Sequence, residues 1–128
     1  MFGTNDVNYT DAATYDTYLR LIVEQTLENR TVPILSTFPT RPEDPAKTDL
    51  FNQIAIQVAL DYDVPLMNLT QALEDLAHEG VDPNDTIHLS RPPDDRVDVF
   101  DAQHLQYGFT VRNLVTLQAL DAVWRAVR

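Results

Sequence analysis

Two of the three histidines in this chain of 128 residues follow an aspartate at the same distance, in Asp85-Thr86-Ile87-His88 and Asp101-Ala102-Gln103-His104. A carboxylate three residues before an imidazole can accept its Nδ1 proton, which fixes the tautomer and leaves Nε2 to take a proton from a nucleophile. Either pair therefore offers the acid and base of a hydrolytic triad. For a nucleophile the chain has Ser36 and Ser90. Ser36 is expected inside an apolar strand, turned into packing, and Ser90 in a loop, bonded to local backbone. Neither suits a hydroxyl that must stand on an exposed turn within reach of the base. His78, at a polar helix end, is expected to be solvated. At the N-terminus, Gly3-Thr4-Asn5-Asp6 follows the apolar Met1 and Phe2 in the pattern of a strand running into a tight turn. A strand of two residues is short for that role, so the expectation is that its upstream part is cut away.

The elements that would carry these residues alternate. Apolar residues at Tyr15, Tyr18, Leu19, Ile22, Val23 and Leu27 predict an amphipathic helix over Asp11 to Asn29, capped by Thr10 or Asp11. Thr31 to Thr37 reads as a buried strand, with Val32 biased to extended backbone by Pro33. A proline-rich loop, Phe38 to Pro45, precedes a second helix over Lys47 to Tyr62, with Leu50, Phe51, Ile54, Ala55 and Val58 on its apolar side, and a second strand over Val64 to Leu69. Thr70 to Glu79 is a shorter helix stopped by Gly80. The acidic stretch Val81 to Gly108 is a long loop, which in a compact domain is usually functional or mobile. A helix from about Thr110 to Val127 closes the chain. Alternating helices and strands imply an α/β fold with a parallel sheet covered on both faces. Two strands are too few for the helices present, so N-terminal strands are expected to be missing and the domain over residues 1–128 to be single and partial.

In order along the chain, Gly3-Thr4-Asn5-Asp6 and an Asp-x-x-His resemble the third and fifth blocks of the SGNH or GDSL family of serine ester hydrolases. The resemblance spans essentially the whole chain and implies the second half of a three-layer, flavodoxin-like α/β domain. It implies an oxyanion-hole role for the Asn5 side chain and a structural one for Asp6. It implies Asp85 and His88 as the acid and base, because Gly80 upstream and Leu89-Ser90 downstream also fit the block; Asp101 and His104 are the alternative pair. The family's Gly-Asp-Ser nucleophile block and its second, oxyanion-hole glycine block are absent and would lie upstream of Met1. The implied activity is cleavage of a small-molecule acyl ester through an acyl-enzyme, with no cofactor.

Composition narrows the partners. Nine basic against twenty acidic residues give a formal charge of −11, which opposes nucleic acid and anionic lipid surfaces. No span is long enough to cross a bilayer. The absence of cysteine removes disulfides, thiolate metal sites and a cysteine nucleophile, and leaves the compartment open. No metal-ligand spacing or phosphate loop is present, and no basic-then-apolar leader opens the chain. A sheet edge left exposed is expected to allow self-association. A second reading, from another class, is a noncatalytic α/β module that uses the acidic loop 81–108 to bind a carbohydrate or a protein.

Overall fold

The computed structural model describes residues 3–85 and 87–128, so the strand expected at Met1 and Phe2 lies outside the described residues. The chain divides into two compact units, one ending at Met67 and one running Asn68–Arg128.

In the first unit, Asp11 is extended and its carboxylate accepts from Thr14 N–H at 2.9 Å, starting helix α1, Ala12–Glu28. The buried positions of α1 are Tyr15, Leu19 and Val23, one every four residues. Tyr18, Ile22 and Leu27, expected on the same face, are exposed, so the buried stripe is narrower than the apolar one. Helix α2, Pro45–Asp61, starts two residues before the expected Lys47 because Asp44 caps it and Pro45 fits its first turn. Its Phe51, Ala55 and Val58 are buried, whereas Leu50 is exposed. Tyr15 and Phe51 stack with ring centroids 4.2 Å apart, joining the two helices at the centre of the core.

The expected three-layer, flavodoxin-like sheet with helices on both faces does not form. Strands β1, Leu35–Ser36, and β2, Leu66–Met67, pair in parallel over two residues each, and they are the only sheet among the described residues. Helical residues make up 54% of the structure, so it is mostly helical with a two-stranded ribbon beside α2. The physical reason lies in hydrogen-bond donors. The ladder runs from Leu35 N–H to Pro65 C=O, 2.9 Å, to Thr37 N–H on Met67 C=O, 3.2 Å. One step earlier Pro33 has no N–H to give. One step later the main chain of Phe38 leaves the ribbon: its N–H donates to Asn52 Oδ1, 3.0 Å, and its C=O accepts from Asn52 Nδ2, 2.8 Å. On the other strand Asn68 turns away to cap the next helix.

That helix, α3, is Leu69–Leu73, half the expected length, with Leu69 and Leu73 fully buried. It gives way to a tight turn, Ala77–Gly80, in which His78, Glu79 and Gly80 all have positive φ, a run no α-helix can continue through. Helix α4, Gly108–Ala126, buries Gly108, Thr110 and Val111. Its later apolar residues Leu117, Leu120 and Trp124 are exposed.

The Asn52 amide holds two buried main-chain groups at once. Asn52→Ala is expected to lower stability by about 2 kcal/mol, the penalty for leaving buried donors and acceptors without those partners. Urea denaturation measures it, and an unchanged midpoint with an unchanged slope contradicts it.

A candidate acid–base site

Gly80 and Gly108 create the setting for the first Asp-x-x-His pair. They approach so closely that a Cβ on Gly108 would fall 2.0 Å from the Gly80 carbonyl oxygen. Ser90 fastens the contact: its N–H donates to Gly80 C=O at 2.8 Å, its Oγ donates to the same carbonyl at 3.1 Å, and Oγ accepts from Gly108 N–H at 3.0 Å. Phe109 N–H completes the set by donating to Ser90 C=O, 3.0 Å. A bridge between Val81 and Leu89, with Asp82 N–H donating to His88 C=O at 2.8 Å, then closes residues 82–88 into a hairpin loop.

Within that loop Asp85 organises His88. Its Oδ1 accepts from the N–H groups of Ile87 and His88, both at 2.8 Å, while Oδ2 lies 2.8 Å from His88 Nδ1. Thr86, between them, lies outside the described residues. The main-chain N–H of His88, then that of Ile87, then the imidazole pull the Asp85 carboxyl down to about 2. The anionic Asp85 carboxylate faces Nδ1 and favours the tautomer that carries the proton there. Nε2 has no hydrogen-bond partner among the described residues, and the His88 side chain is 70% exposed.

The second pair has the same spacing and a different fate. His104 Nδ1 lies 2.7 Å from Asp101 Oδ1, and its Nε2 lies 3.2 Å from Asp94 Oδ2. Its side chain is only 14% exposed. The Asp101 carboxylate, then that of Asp94, raises its pKa, so the imidazolium is favoured and both nitrogens donate. Asp101–His104 is a strut between loop segments, with no nitrogen left to accept a proton. Sequence spacing did not show this, because Asp94 lies outside the local motif.

Asn5 belongs to the first unit. Gly3 is buried at φ 106°, where an added Cβ would meet Phe38 and the Tyr15 hydroxyl at 2.8 Å, so only glycine fits. Arg41, buried, donates from Nη1 to Thr4 C=O at 3.1 Å and holds the loop from beneath. Asn5 itself is exposed at the entrance of a short turn, Asp6–Asn8, and its side chain caps nothing. Asp6 does not cap α1, a task Asp11 performs. The buried Tyr15 hydroxyl is pushed up to about 12, first by burial and then by the charge of Asp6.

Both serines are engaged. Ser36 Oγ donates to Thr37 C=O at 2.6 Å, and Ser90 is committed to the two glycines. His78 is exposed on its turn. A groove of about 370 Å³ between α1 and residues 31–36 is lined by uncharged side chains and includes neither Asn5 nor either histidine pair. Among the described residues no cluster of three or more histidines and acids could hold a metal. No protein-family model, no curated protein and no solved structure matches the chain.

The two aspartate–histidine pairs predict opposite pH responses. His104, raised in the folded state, contributes stability that is complete below its unfolded pKa and is lost as pH rises through its folded value. The melting-temperature gap between wild type and His104→Gln is therefore expected to shrink above neutral pH. Asp85, depressed when folded, contributes stability present above the ordinary carboxylate pKa and lost as pH falls toward 2. The gap to Asp85→Asn is expected to close on acidification; a gap constant across pH contradicts either assignment.

Proposed function

We propose that this chain carries the acid–base part of a serine-type ester hydrolase, with His88 as general base, Asp85 as its orienting acid and Asn5 as an oxyanion donor. The observation that carries the reading is that Nδ1 of His88 lies 2.8 Å from Asp85 Oδ2 while Nε2 has no hydrogen-bond partner among the described residues. Both nitrogens of His104 face carboxylates, which supports His88 over the alternative pair Asp101 and His104. The resemblance to the SGNH or GDSL hydrolases points the same way.

In that reaction Nε2 of His88 takes the proton of a serine hydroxyl as its oxygen attacks the acyl carbon. The imidazolium, stabilised by Asp85, then protonates the departing alcohol, and the same nitrogen activates the water that releases the acid. The Asn5 amide donates to the carbonyl oxygen as it gains negative charge, a contribution of about 2.7–4 kcal/mol for one such donor. The nucleophile comes from outside these residues, since Ser36 and Ser90 are both held by main-chain groups. Without it, loss on the order of a millionfold in rate is expected, so the chain by itself is nearly inactive. In the alternative of a binding module, the acidic loop would present free carboxylates. Asp82, Asp85, Asp94, Asp95 and Asp101 instead accept hydrogen bonds or ion pairs from their own loop, which favours the hydrolase reading.

The test is a short-chain p-nitrophenyl ester assay on a gene product that includes the coding sequence upstream of Met1. Hydrolysis is expected, lowered about ten-thousandfold by Asp85→Asn and about a millionfold by His88→Ala. His104→Gln is expected to change stability more than turnover. Full activity in His88→Ala, or none in any extended product, rejects the proposal.

A further inference from the structure

The start of α4 gathers positive charge that the acid–base reading does not use. The guanidinium carbons of Arg91 and Arg112 lie 4.5 and 4.8 Å from the centroid of the Phe109 ring. The hydrogen bond from Phe109 N–H to Ser90 C=O explains the meeting, because it holds the ring beside the residue that precedes Arg91. Stacking on an aromatic face fixes the plane of a guanidinium and so aims its donors.

The two arginines differ in their partners. Arg91 closes on Asp95, Nη1 to Oδ1 2.5 Å. Arg112 has no carboxylate partner among the described residues: its Nε and Nη2 donate to Asn113 Oδ1 at 3.2 and 2.7 Å, and Asn113 Nδ2 donates onward to Val97 C=O at 3.0 Å. Of the five N–H groups of an arginine, Asn113 takes two from one edge and leaves the outer Nη1/Nη2 edge open. Arg112 is half-buried, and burial followed by the charge of Arg91 draws its pKa below the ordinary value. In a chain of net charge −11, Arg112 is thus a preorganised cation beside a like charge, with no carboxylate paired to it among the described residues.

We propose that Arg112, assisted by Arg91 over the Phe109 ring, forms a carboxylate-binding site, in which the carboxylate accepts from the outer Nη1/Nη2 edge of Arg112. The planar fork matches the two carboxylate oxygens. A singly charged group is favoured over phosphate because the surrounding acidic field repels a dianion more strongly. The site stands independently of the hydrolase reading; joined to that reading, it selects esters whose acyl or alcohol part bears a carboxylate.

The experiment is a nuclear magnetic resonance titration of the whole chain with acetate, with glutarate and with inorganic phosphate, each against chloride at matched ionic strength. Saturable shifts of the Arg112 Nε–H and the Phe109 amide are expected with acetate and glutarate, at millimolar affinity. Arg112→Gln is expected to weaken binding about tenfold or more, and Arg112→Lys, which keeps the charge and loses the fork, to fall between. Arg91→Gln leaves the Asn113–Val97 contact intact and is expected to weaken binding severalfold, which keeps the proposal testable if Arg112 variants fold poorly. His88→Ala is expected to bind as wild type, so loss of ester hydrolysis and loss of this site are read separately. Shifts that chloride reproduces, unchanged affinity in both Arg112→Gln and Arg91→Gln, or phosphate binding tighter than carboxylate overturns the proposal.

Discussion

The second unit depends on the contact between Gly80 and Gly108. Because neither residue has a side chain, the end of the turn after α3 and the beginning of α4 come within backbone distance, with room at Gly108 for no Cβ at all. Ser90 bonds the Gly80 carbonyl twice and the Gly108 N–H once, and its own C=O accepts a fourth bond from Phe109 N–H. Three stretches far apart in sequence meet there, and each leads directly to a feature with chemistry. Residues 82–88 form the loop of His88, Arg91 follows one residue after Ser90, and Phe109 and Arg112 open α4.

Surplus acid is used within the chain before it faces solvent. In loop 81–108 carboxylates shape turns through main-chain N–H groups, tether Arg91 and face both imidazoles. The same interaction, a carboxylate on Nδ1, yields two different histidines. Asp85 acts alone on an exposed ring, and the second nitrogen has no hydrogen-bond partner among the described residues. Asp101 acts together with Asp94 on a ring that is largely covered, and both nitrogens become donors. At equal spacing the two histidines differ in how many carboxylates face them, one at His88 and two at His104.

Local signals in the sequence were read well where they are local. Asp11 before an apolar period of four marks the start of α1, and Gly3 sits where close approach and positive φ demand it. The helices α1, α2 and α4 begin and end within two residues of the periodicity. The sheet was misread because apolar runs measure burial, whereas a ladder needs donors, which Pro33 lacks and which Phe38 gives to Asn52. The short α3 was misread because the apolar pattern continues through Leu76 and Ala77, whereas the helix ends at Leu73 and Leu76 is extended. Asp94 at His104 and Arg41 at Thr4 were invisible, since neither partner lies within a turn of the other in sequence.

The Asp85 loop has a consequence of another kind. Each hydrogen bond that orients His88 comes from residues 80–90, and the anchors of that segment are Gly108 and Phe109. The pose of His88 is therefore written into one short hairpin and one helix start, all within the second unit. A segment built this way can be grafted or duplicated with its aspartate–histidine contact intact.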